Sequence, residues 1–360
     1  MVLLVIGSAV ALKAVIPPER GMPPSLVREE SMLVDPKTEL SNAKGIGVEV
    51  GTFIENFHSL SLRQRIFNAE GFYWLEWPRE LQDLMVAQGI TPLQLVEITN
   101  LVNASSAQIE PDTVAPVQKP ADRFYQLFRY SANLYIPMVD LRRSPFEKLV
   151  LPVVLEVSPE GFSHQEANVV LVPDSNKKNS QVGSGAYING YDIDTVRSVS
   201  SRHSYGTNWG FDQGDLDFSR LSTELVMKGD PFSSFVTWIL PLMIVMLIVL
   251  LAPLLDGELG EIRLAIPSTA LLTLIFLQQT YKAELPLLSY LTFLDFLYAY
   301  SYIVSVVLFV LFLWRSNAYA GSPDQHKGEA LKMINRVDRV FQLSAFTGFF
   351  VVAAVAWSAW

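Results

Sequence analysis

Four long apolar segments near the end of the chain constrain its fold more than any other feature. They cover residues 232–255, 262–281, 287–314 and 337–360. A helix needs roughly 20 apolar residues to cross a bilayer, and each segment meets that requirement. The first three are joined by very short links, so consecutive helices should be antiparallel neighbours. The sequence therefore predicts an all-α bundle of four transmembrane helices over residues 231–360.

The connection between the third and fourth segments, residues 315–336, sets the expected topology. It carries several basic residues: Arg315, Lys327, Lys332 and Arg336. Basic connections usually lie in the cytoplasm, so four spans place residues 46–230 and the end of the chain outside it. We expect a multi-pass protein of a cell inner membrane whose N-terminal part is extracellular or periplasmic.

The first 45 residues resemble neither a sandwich nor a bundle. Residues 1–16 are apolar but short, which favours a signal peptide or a signal anchor, although no positive residues precede them. The tail of a larger N-terminal module is the alternative. Residues 17–45 carry several prolines among charged residues and predict a linker, with a short helix conceivable near 25–32.

Residues 46–230 alternate apolar and polar side chains in short runs separated by turn residues. The alternation is clearest at 48–57, 67–77, 123–135, 149–157, 167–172 and 192–199. Such runs are typical of strands, and many of them in succession predict an all-β, immunoglobulin-like sandwich. The expected fold class is therefore multidomain, with this sandwich followed by the membrane bundle.

Composition excludes several classes of function. The chain has no cysteine, four histidines and a net charge of −9. Disulfides and thiolate chemistry are thus impossible, and an acidic chain without a basic tract is a poor ligand for nucleic acid. No catalytic triad, metal-ligand spacing or phosphate-binding glycine loop stands out, so we expect neither enzyme activity nor a required cofactor. The four segments show no inverted repeat, which argues against a transporter.

The second apolar segment differs from the others because polar residues recur along it at helical spacing. Polar groups at membrane depth usually face water or a cavity. One interpretation is a helix buried in a single-chain bundle, and the other is a pore-lining helix repeated around a symmetry axis. The candidate pore-lining residues are Glu261, Arg263, Ala265, Thr269, Leu272, Phe276 and Gln279.

Several motifs, in order along the chain, point to one family. The segment DLRRSPFE at 140–147 is similar to that family's signature loop, and LP at 285–286 followed by SYLT at 289–292 and Asp295 is similar to its loop between the second and third helices. From residue 47 to the end, the chain resembles the bacterial pentameric ligand-gated ion channels, prokaryotic relatives of the Cys-loop receptors.

This chain departs from the family pattern at several points. Its signature loop has no flanking cysteines, and Glu147 stands where an aspartate is usual. Pro267 falls inside the pore helix, where the missing amide should cause a kink or a widened cytoplasmic end.

The resemblance implies a homopentamer that conducts monovalent cations across the membrane. Glu261 would form a ring of carboxylates that selects cations, and Leu272 and Phe276 would form an apolar gate. Asp140 and Arg142 would find charge partners in Lys282 or Glu284. The residues expected to couple the sandwich to the pore are Asp140, Arg142, Pro145, Phe146, Glu147, Lys228, Pro286 and Tyr290.

The resemblance also implies a ligand site beneath a hairpin at 200–218. Candidates for caging an ammonium ligand by cation–π attraction are Phe72, Trp74, His203, Tyr205, Trp209 and Phe211. Plain packing of these rings on the sandwich is the alternative. Asp212, Asp215 and Asp217 are candidates for binding Ca²⁺, but a solvated acidic loop is the favoured interpretation of these residues, and protons are a third candidate agonist. A non-conducting sensor of the same fold is the alternative function.

Overall fold

The computed structural model describes residues 30–43, 45–158, 168–174, 176, 181–188, 190–207, 217–255, 260–320 and 327–358. Contacts divide them into two compact units. The membrane unit contains residues from Gly229 onward together with the loop Asp140–Glu147, and the sandwich unit contains the other described residues. The segment 1–16, predicted to be a signal peptide or anchor, lies outside the described residues.

The sandwich unit contains two β-sheets. Its strands, in chain order, are β1 (Glu30–Leu33), β2 (Ile46–Ser61), β3 (Ile66–Pro78), β4 (Val96–Ile98), β5 (Gln108–Pro111), β6 (Val117–Lys119), β7 (Arg123–Tyr135), β8 (Lys148–Val157), β9 (Val169–Pro173), β10 (Tyr191–Ser204) and β11 (Asp217–Gly229). One sheet has the order β1-β10-β11-β8-β4. The other has the order β5-β7-β3-β2-β9, with β6 paired to β7.

Alternating side chains hold the two sheets together, as the sequence pattern predicts. Along β3 every second residue is buried, including Tyr73, whose ring stacks on Phe128 with the centroids 4.8 Å apart. A buried hydrogen bond of 2.5 Å between the hydroxyls of Thr52 on β2 and Thr223 on β11 connects the sheets. The region is therefore sandwich-like, as expected.

The prediction of an all-β region over residues 46–230 needs correction, because two α-helices interrupt its strands. They are α2 (Arg79–Gln88) and α3 (Pro92–Leu95), and a further helix, α1 (Pro36–Ala43), precedes the region. Leu81 and Met85, one helical turn apart, are the buried residues of α2, and the helix ends at Gly89 with φ of 71°. Apolar spacing and a terminal glycine are helix signals, but the strand alternation on either side concealed them.

The segment expected to be a linker, residues 17–45, also holds ordered structure. Its described part contains β1 and α1, and β1 pairs with β10 in antiparallel register. The short helix considered near 25–32 is therefore wrong from Glu30 onward, because a sheet edge is available to that part of the chain. The strand is extended by a hydrogen bond from the amide of Val34 to the carbonyl of Ser200.

Four of the described helices are long and apolar enough to cross a membrane. The candidate spans are α4 (Pro231–Leu254), α5 (Gly260–Glu284), α6 (Phe293–Asn317 within a helix of Phe293–Ala320) and α7 (Met333–Ser358 within a helix of Lys327–Ser358). This result supports the predicted multi-pass membrane protein.

The helix boundaries differ from the apolar segments at two places. The third helix begins at Phe293 rather than 287, and the fourth begins at Lys327 rather than 337. Most of the connection predicted for 315–336 is therefore helical. Hydropathy locates the part of a helix that fits the bilayer, whereas polar turns at either end belong to the helix without contributing to that signal, which explains the early start of the fourth helix. The mostly apolar residues 287–292 belong instead to the link before the third helix.

Two prolines are accommodated within the membrane helices. A π-helical turn at Phe235–Ile239 precedes Pro241, whose ring nitrogen cannot donate a hydrogen bond. Pro267 is buried inside α5, which continues as one helix on both sides of it. Next to it the hydroxyl of Ser268 donates to the carbonyl of Ala265 at 2.9 Å. The predicted kink or widened end remains a prediction.

The hydrogen bond between the sheets can be tested with a pair of variants. In Thr52→Val the Thr223 hydroxyl loses its partner in a buried site, which should lower the free energy of unfolding by about 1–3 kcal/mol. The double variant T52V/T223V leaves neither hydroxyl and should be closer to wild type. Urea titration of the solubilised chain measures the free energy of unfolding of both variants. Hydrogen exchange at the amides of β2 and β11 then reports the local stability of the two strands. A double variant less stable than T52V would contradict this account.

Candidate functional sites

One side of α5 is exposed along the whole helix. We call it the polar face, and its members are Glu261, Ala265, Thr269, Leu272, Phe276 and Gln279, all exposed. Leu272 and Phe276 are 56% and 64% exposed, whereas Leu274 and Tyr281, on the other side of the helix, are buried in the bundle. The structure thus brings six of the seven predicted pore-lining residues onto one surface.

The polar face differs from the exposed sides of the neighbouring helices. In the middle of α4 the exposed side chains are apolar, as at Met243 and Leu247, and the same holds for α6, as at Ile303 and Val310. Apolar faces match lipid, whereas a carboxylate, a hydroxyl and an amide along one face are costly there. The polar face therefore suits contact with water or with another polar surface.

A groove with small side chains adjoins the polar face. It encloses a volume of about 450 Å³ between α4 and α5, and its lining residues are Val245, Ile248, Ile262, Ala265, Ile266, Thr269, Ala270 and Thr273. Alanine and threonine allow close approach of a second helix in a membrane. The groove shows that small side chains of α5 leave an open volume between α4 and α5, next to the polar face.

Arg263 does not belong to the polar face, so its place among the predicted pore-lining residues is corrected. Its side chain is buried, and its Nη2 donates to Asp338 Oδ2 on α7 at 2.6 Å. The guanidinium carbon also lies 4.3 Å from the ring centre of Phe312 on α6. Two residues correspond to a rotation of about 200° around an α-helix, which turns Arg263 away from Glu261.

The loop Asp140–Glu147 connects strands β7 and β8 but packs in the membrane unit. The ring of Phe146 contacts Phe293 at the start of α6 and Trp357 near the end of α7, with centroids 6.4 and 5.9 Å apart. The amide of Phe293 donates to the carbonyl of Arg142 at 2.7 Å. The peptide bond between Ser144 and Pro145 is cis. The predicted coupling loop is thus anchored to two membrane helices.

The link between α5 and α6 is held by one buried carboxylate. Asp295 accepts hydrogen bonds from the amide and hydroxyl of Thr292, at 2.9 and 3.0 Å, which caps the start of α6. It also accepts one from Lys282 Nζ at 2.6 Å. Lys282 therefore pairs with Asp295, and the expected pairing of Lys282 with Asp140 is wrong.

The other predicted coupling residues lie near this link or in the sandwich unit. Tyr290 accepts a hydrogen bond from the amide of Leu141 at 3.1 Å, and the guanidinium of Arg142 lies 5.3 Å from its ring centre. Lys228 lies on β11 opposite Lys148 of β8, in the sandwich unit. The remaining coupling candidates in the membrane unit are Asp140, Pro145, Phe146, Glu147 and Pro286.

The sheet that contains β8, β10 and β11 carries a buried charged cluster. Tyr205 donates through its hydroxyl to Glu156 Oε1 at 2.5 Å, and Arg220 Nε donates to Oε2 of the same residue at 2.6 Å. The side chain of Glu156 is 0% exposed. His203 lies edge-on to Tyr205 with centroids 4.5 Å apart and shares a 2.6 Å hydrogen bond with Ser31 of β1. Two of the predicted ligand residues are thus brought together.

The environment of Tyr205 favours its neutral form. Burial raises the pKa of its hydroxyl, and the hydrogen bond to Glu156 and that group's negative charge raise it further, against a smaller opposing effect of Arg220. Sequence reasoning missed Glu156 and Arg220. The available signal was a single charged residue inside an apolar run, VVLEV at 153–157, because such a charge must be paired if the strand is buried.

The two other described ligand candidates belong to a different sheet. Phe72 and Trp74 are on β3, in the other sheet. Trp74 Nε1 donates to Asp174 Oδ2 at 3.1 Å, and its ring lies so close to Gly51 that a Cβ there would come within 2.0 Å of it. Four candidates lie outside the described residues: Trp209, Phe211, Asp212 and Asp215.

The predicted Ca²⁺ site remains a prediction. Asp217 is exposed as the first residue of β11. In the part of the chain that the structure describes, no group of three or more acidic or histidine side chains could hold a metal ion.

No protein-family model matches this chain, and a search of curated proteins finds no match either. The structure nevertheless has a β-sandwich-like region followed by four apolar helices, which is compatible with the architecture of pentameric ligand-gated channels. The chain is thus best described as a multi-pass membrane protein of that general layout.

The charged cluster can be tested by comparing two variants. Glu156→Gln leaves Arg220 without its buried counter-charge and should lower the free energy of unfolding by roughly 3 kcal/mol. Tyr205→Phe removes the hydrogen bond to Glu156 and a longer one from Arg220 but keeps that pair, so its cost should be about 1 kcal/mol. Thermal unfolding of the solubilised protein compares the losses of stability in the two variants. Equal losses would show that the charge of Glu156 is unimportant for stability.

Proposed function

We propose that this protein is a homopentameric ligand-gated ion channel that prefers cations. The observation that carries the proposal is the polar face of α5, a lengthwise surface of mixed polarity on a helix whose opposite side is buried in its own bundle. The number of copies, five, is taken from the resemblance of several motifs to the bacterial pentameric channels. Five such faces around an axis would enclose a path for water and ions.

The order of residues along the polar face fits such a path. Glu261 at the first turn of α5 would form a ring of carboxylates, which attracts cations and repels anions. Leu272 and Phe276 would form bulky rings further along, and apolar constrictions gate by losing water when narrow. The groove between α4 and α5 would receive side chains from the helix of a neighbouring copy.

The loop Asp140–Glu147 supports a coupling role. It is continuous with β7 and β8, yet Phe146 packs against Phe293 and Trp357 of the membrane unit. A ligand that favours one arrangement of these strands would therefore also favour one arrangement of the helices. Asp295 accepts hydrogen bonds from both Thr292 and Lys282, which restrains the α5–α6 link. A restrained link would transmit a change in the strands to the helices.

The proposed ligand site lies at the hairpin between β10 and β11, in an immunoglobulin-like sandwich outside the cytoplasm. His203 and Tyr205 would contribute from one copy, and Phe72 and Trp74 would contribute from the next, since a single chain does not bring them together. The buried pair of Glu156 and Arg220 would hold Tyr205 in place. A small ammonium compound, a proton or Ca²⁺ is the proposed agonist.

Recording from purified protein in planar bilayers tests the proposal. The chain should pass cation current when pH, Ca²⁺ or a panel of small amines is varied. Glu261→Gln should reduce the ratio of cation to anion permeability, measured from reversal potentials under a KCl gradient. Glu80→Gln, an equal charge change at an exposed site on α2, is the matched control. If correctly assembled pentamers pass no current, the result would instead favour the alternative function, a non-conducting sensor.

The gate is tested separately. Leu272→Ser should increase the open fraction several-fold, because a ring of hydroxyls holds water where a ring of leucines excludes it. Leu343→Ser makes the same change on α7, where the side chain is 63% exposed, and should leave gating unchanged. If L272S opens no more readily than wild type, the constriction lies elsewhere.

A further inference from the structure

Three buried charged side chains meet near one end of the membrane unit. Arg263 comes from α5, Arg315 from α6 and Asp338 from α7, and each is at most 3% exposed. One oxygen of Asp338 accepts a hydrogen bond from Arg263 at 2.6 Å, and its other oxygen contacts Nη1 of Arg315. A single carboxylate on the fourth helix therefore serves two guanidinium groups on two other helices.

The cluster has more positive than negative charge. Within the described part of the chain, Nε and Nη2 of Arg315 have no hydrogen-bond partner. Two like charges that share one counter-ion repel each other, and their repulsion is weakly screened in a buried site. Asp338 is thus the group that makes it favourable for both arginines to remain inside the bundle.

The position of Arg263 gives this arrangement a consequence at the polar face. Arg263 is two residues after Glu261, and Asp338 and Phe312 hold its guanidinium on the opposite side of α5. A long arginine side chain can turn its charged end towards water when its buried partner is lost. The nearest polar surface on the same helix is the first turn, where Glu261 is exposed.

We propose that Asp338 is a specificity-determining residue, which keeps the charge of Arg263 away from the ion path. This inference rests on the proposed channel function and assigns a role to a helix that does not contribute to the polar face. In a pentamer, the loss of Asp338 would allow five positive charges to approach the ring of Glu261 carboxylates. Asp338 acts through Arg263 and is therefore a positioning residue.

The test measures permeability ratios from reversal potentials under a KCl gradient. Asp338→Asn should lower the cation-to-anion ratio roughly tenfold, the effect of a unit charge brought to within about 10 Å of the ions. The double variant R263Q/D338N should return the ratio to the wild-type value, because Arg263, the charge proposed to move towards Glu261, is then absent. Arg315→Gln should leave the ratio at the wild-type value, because Asp338 then pairs with Arg263 alone.

The outcomes separate this inference from the proposed function. A wild-type chain that passes no current would defeat the channel proposal. If wild type conducts and D338N has the same permeability ratio, only the role of Asp338 is overturned. A double variant that stays as unselective as D338N would also overturn it, because the change would then not act through Arg263.

Two further measurements guard against a variant that fails to assemble. Size-exclusion chromatography in detergent reports whether each variant elutes as wild type does, and Asp338→Glu keeps the charge and should keep the ratio. If D338N does not assemble, the double variant R315Q/D338N takes its place, because it removes the carboxylate without adding to the net charge of the cluster. R315Q/D338N should also lower the permeability ratio, since Arg263 again has no buried partner, and an unchanged ratio would overturn the inference.

Discussion

The rotation of α5 about its own axis is the constraint on which the rest of the membrane unit depends. It is fixed by side chains that pack inward: Arg263 with Asp338, and Tyr281 with Trp238 of α4, whose rings are 5.5 Å apart. A buried ion pair specifies an orientation better than apolar packing does, because any other rotation leaves charges unpaired. Because Arg263 and Tyr281 are packed inside the bundle, the polar face of α5 lies on the exposed side of the helix.

The sequence predicted most of what depends on a regular pattern. Alternation located the long strands, such as β7 at Arg123–Tyr135, and hydropathy located the four candidate spans. Helical spacing also grouped Ala265, Thr269, Leu272 and Phe276 on one face. These features follow from local periodicity, which a single chain displays without reference to its partners in space.

What the sequence did not predict depends on contacts between distant residues. The buried partner of Arg263 was not predicted, because spacing alone can turn Arg263 away from Glu261 but cannot show that a carboxylate 75 positions away would accept its hydrogen bond. Glu156 and Arg220 were missed for the same reason, being 64 positions apart. Helix α2 was missed because a short helix between strands carries a weaker signal than the alternation on either side.

The first strand has a consequence for the behaviour of the protein in solution. β1 is four residues long and covers part of the edge of β10, which has fourteen residues. An uncovered edge of that length offers a row of unpaired amides and carbonyls to any other extended chain. Because β1 pairs with part of this edge, fewer backbone groups of β10 are available to pair with another chain during aggregation. A shortened version that begins after Leu33 would therefore be more prone to aggregate, even with its core intact.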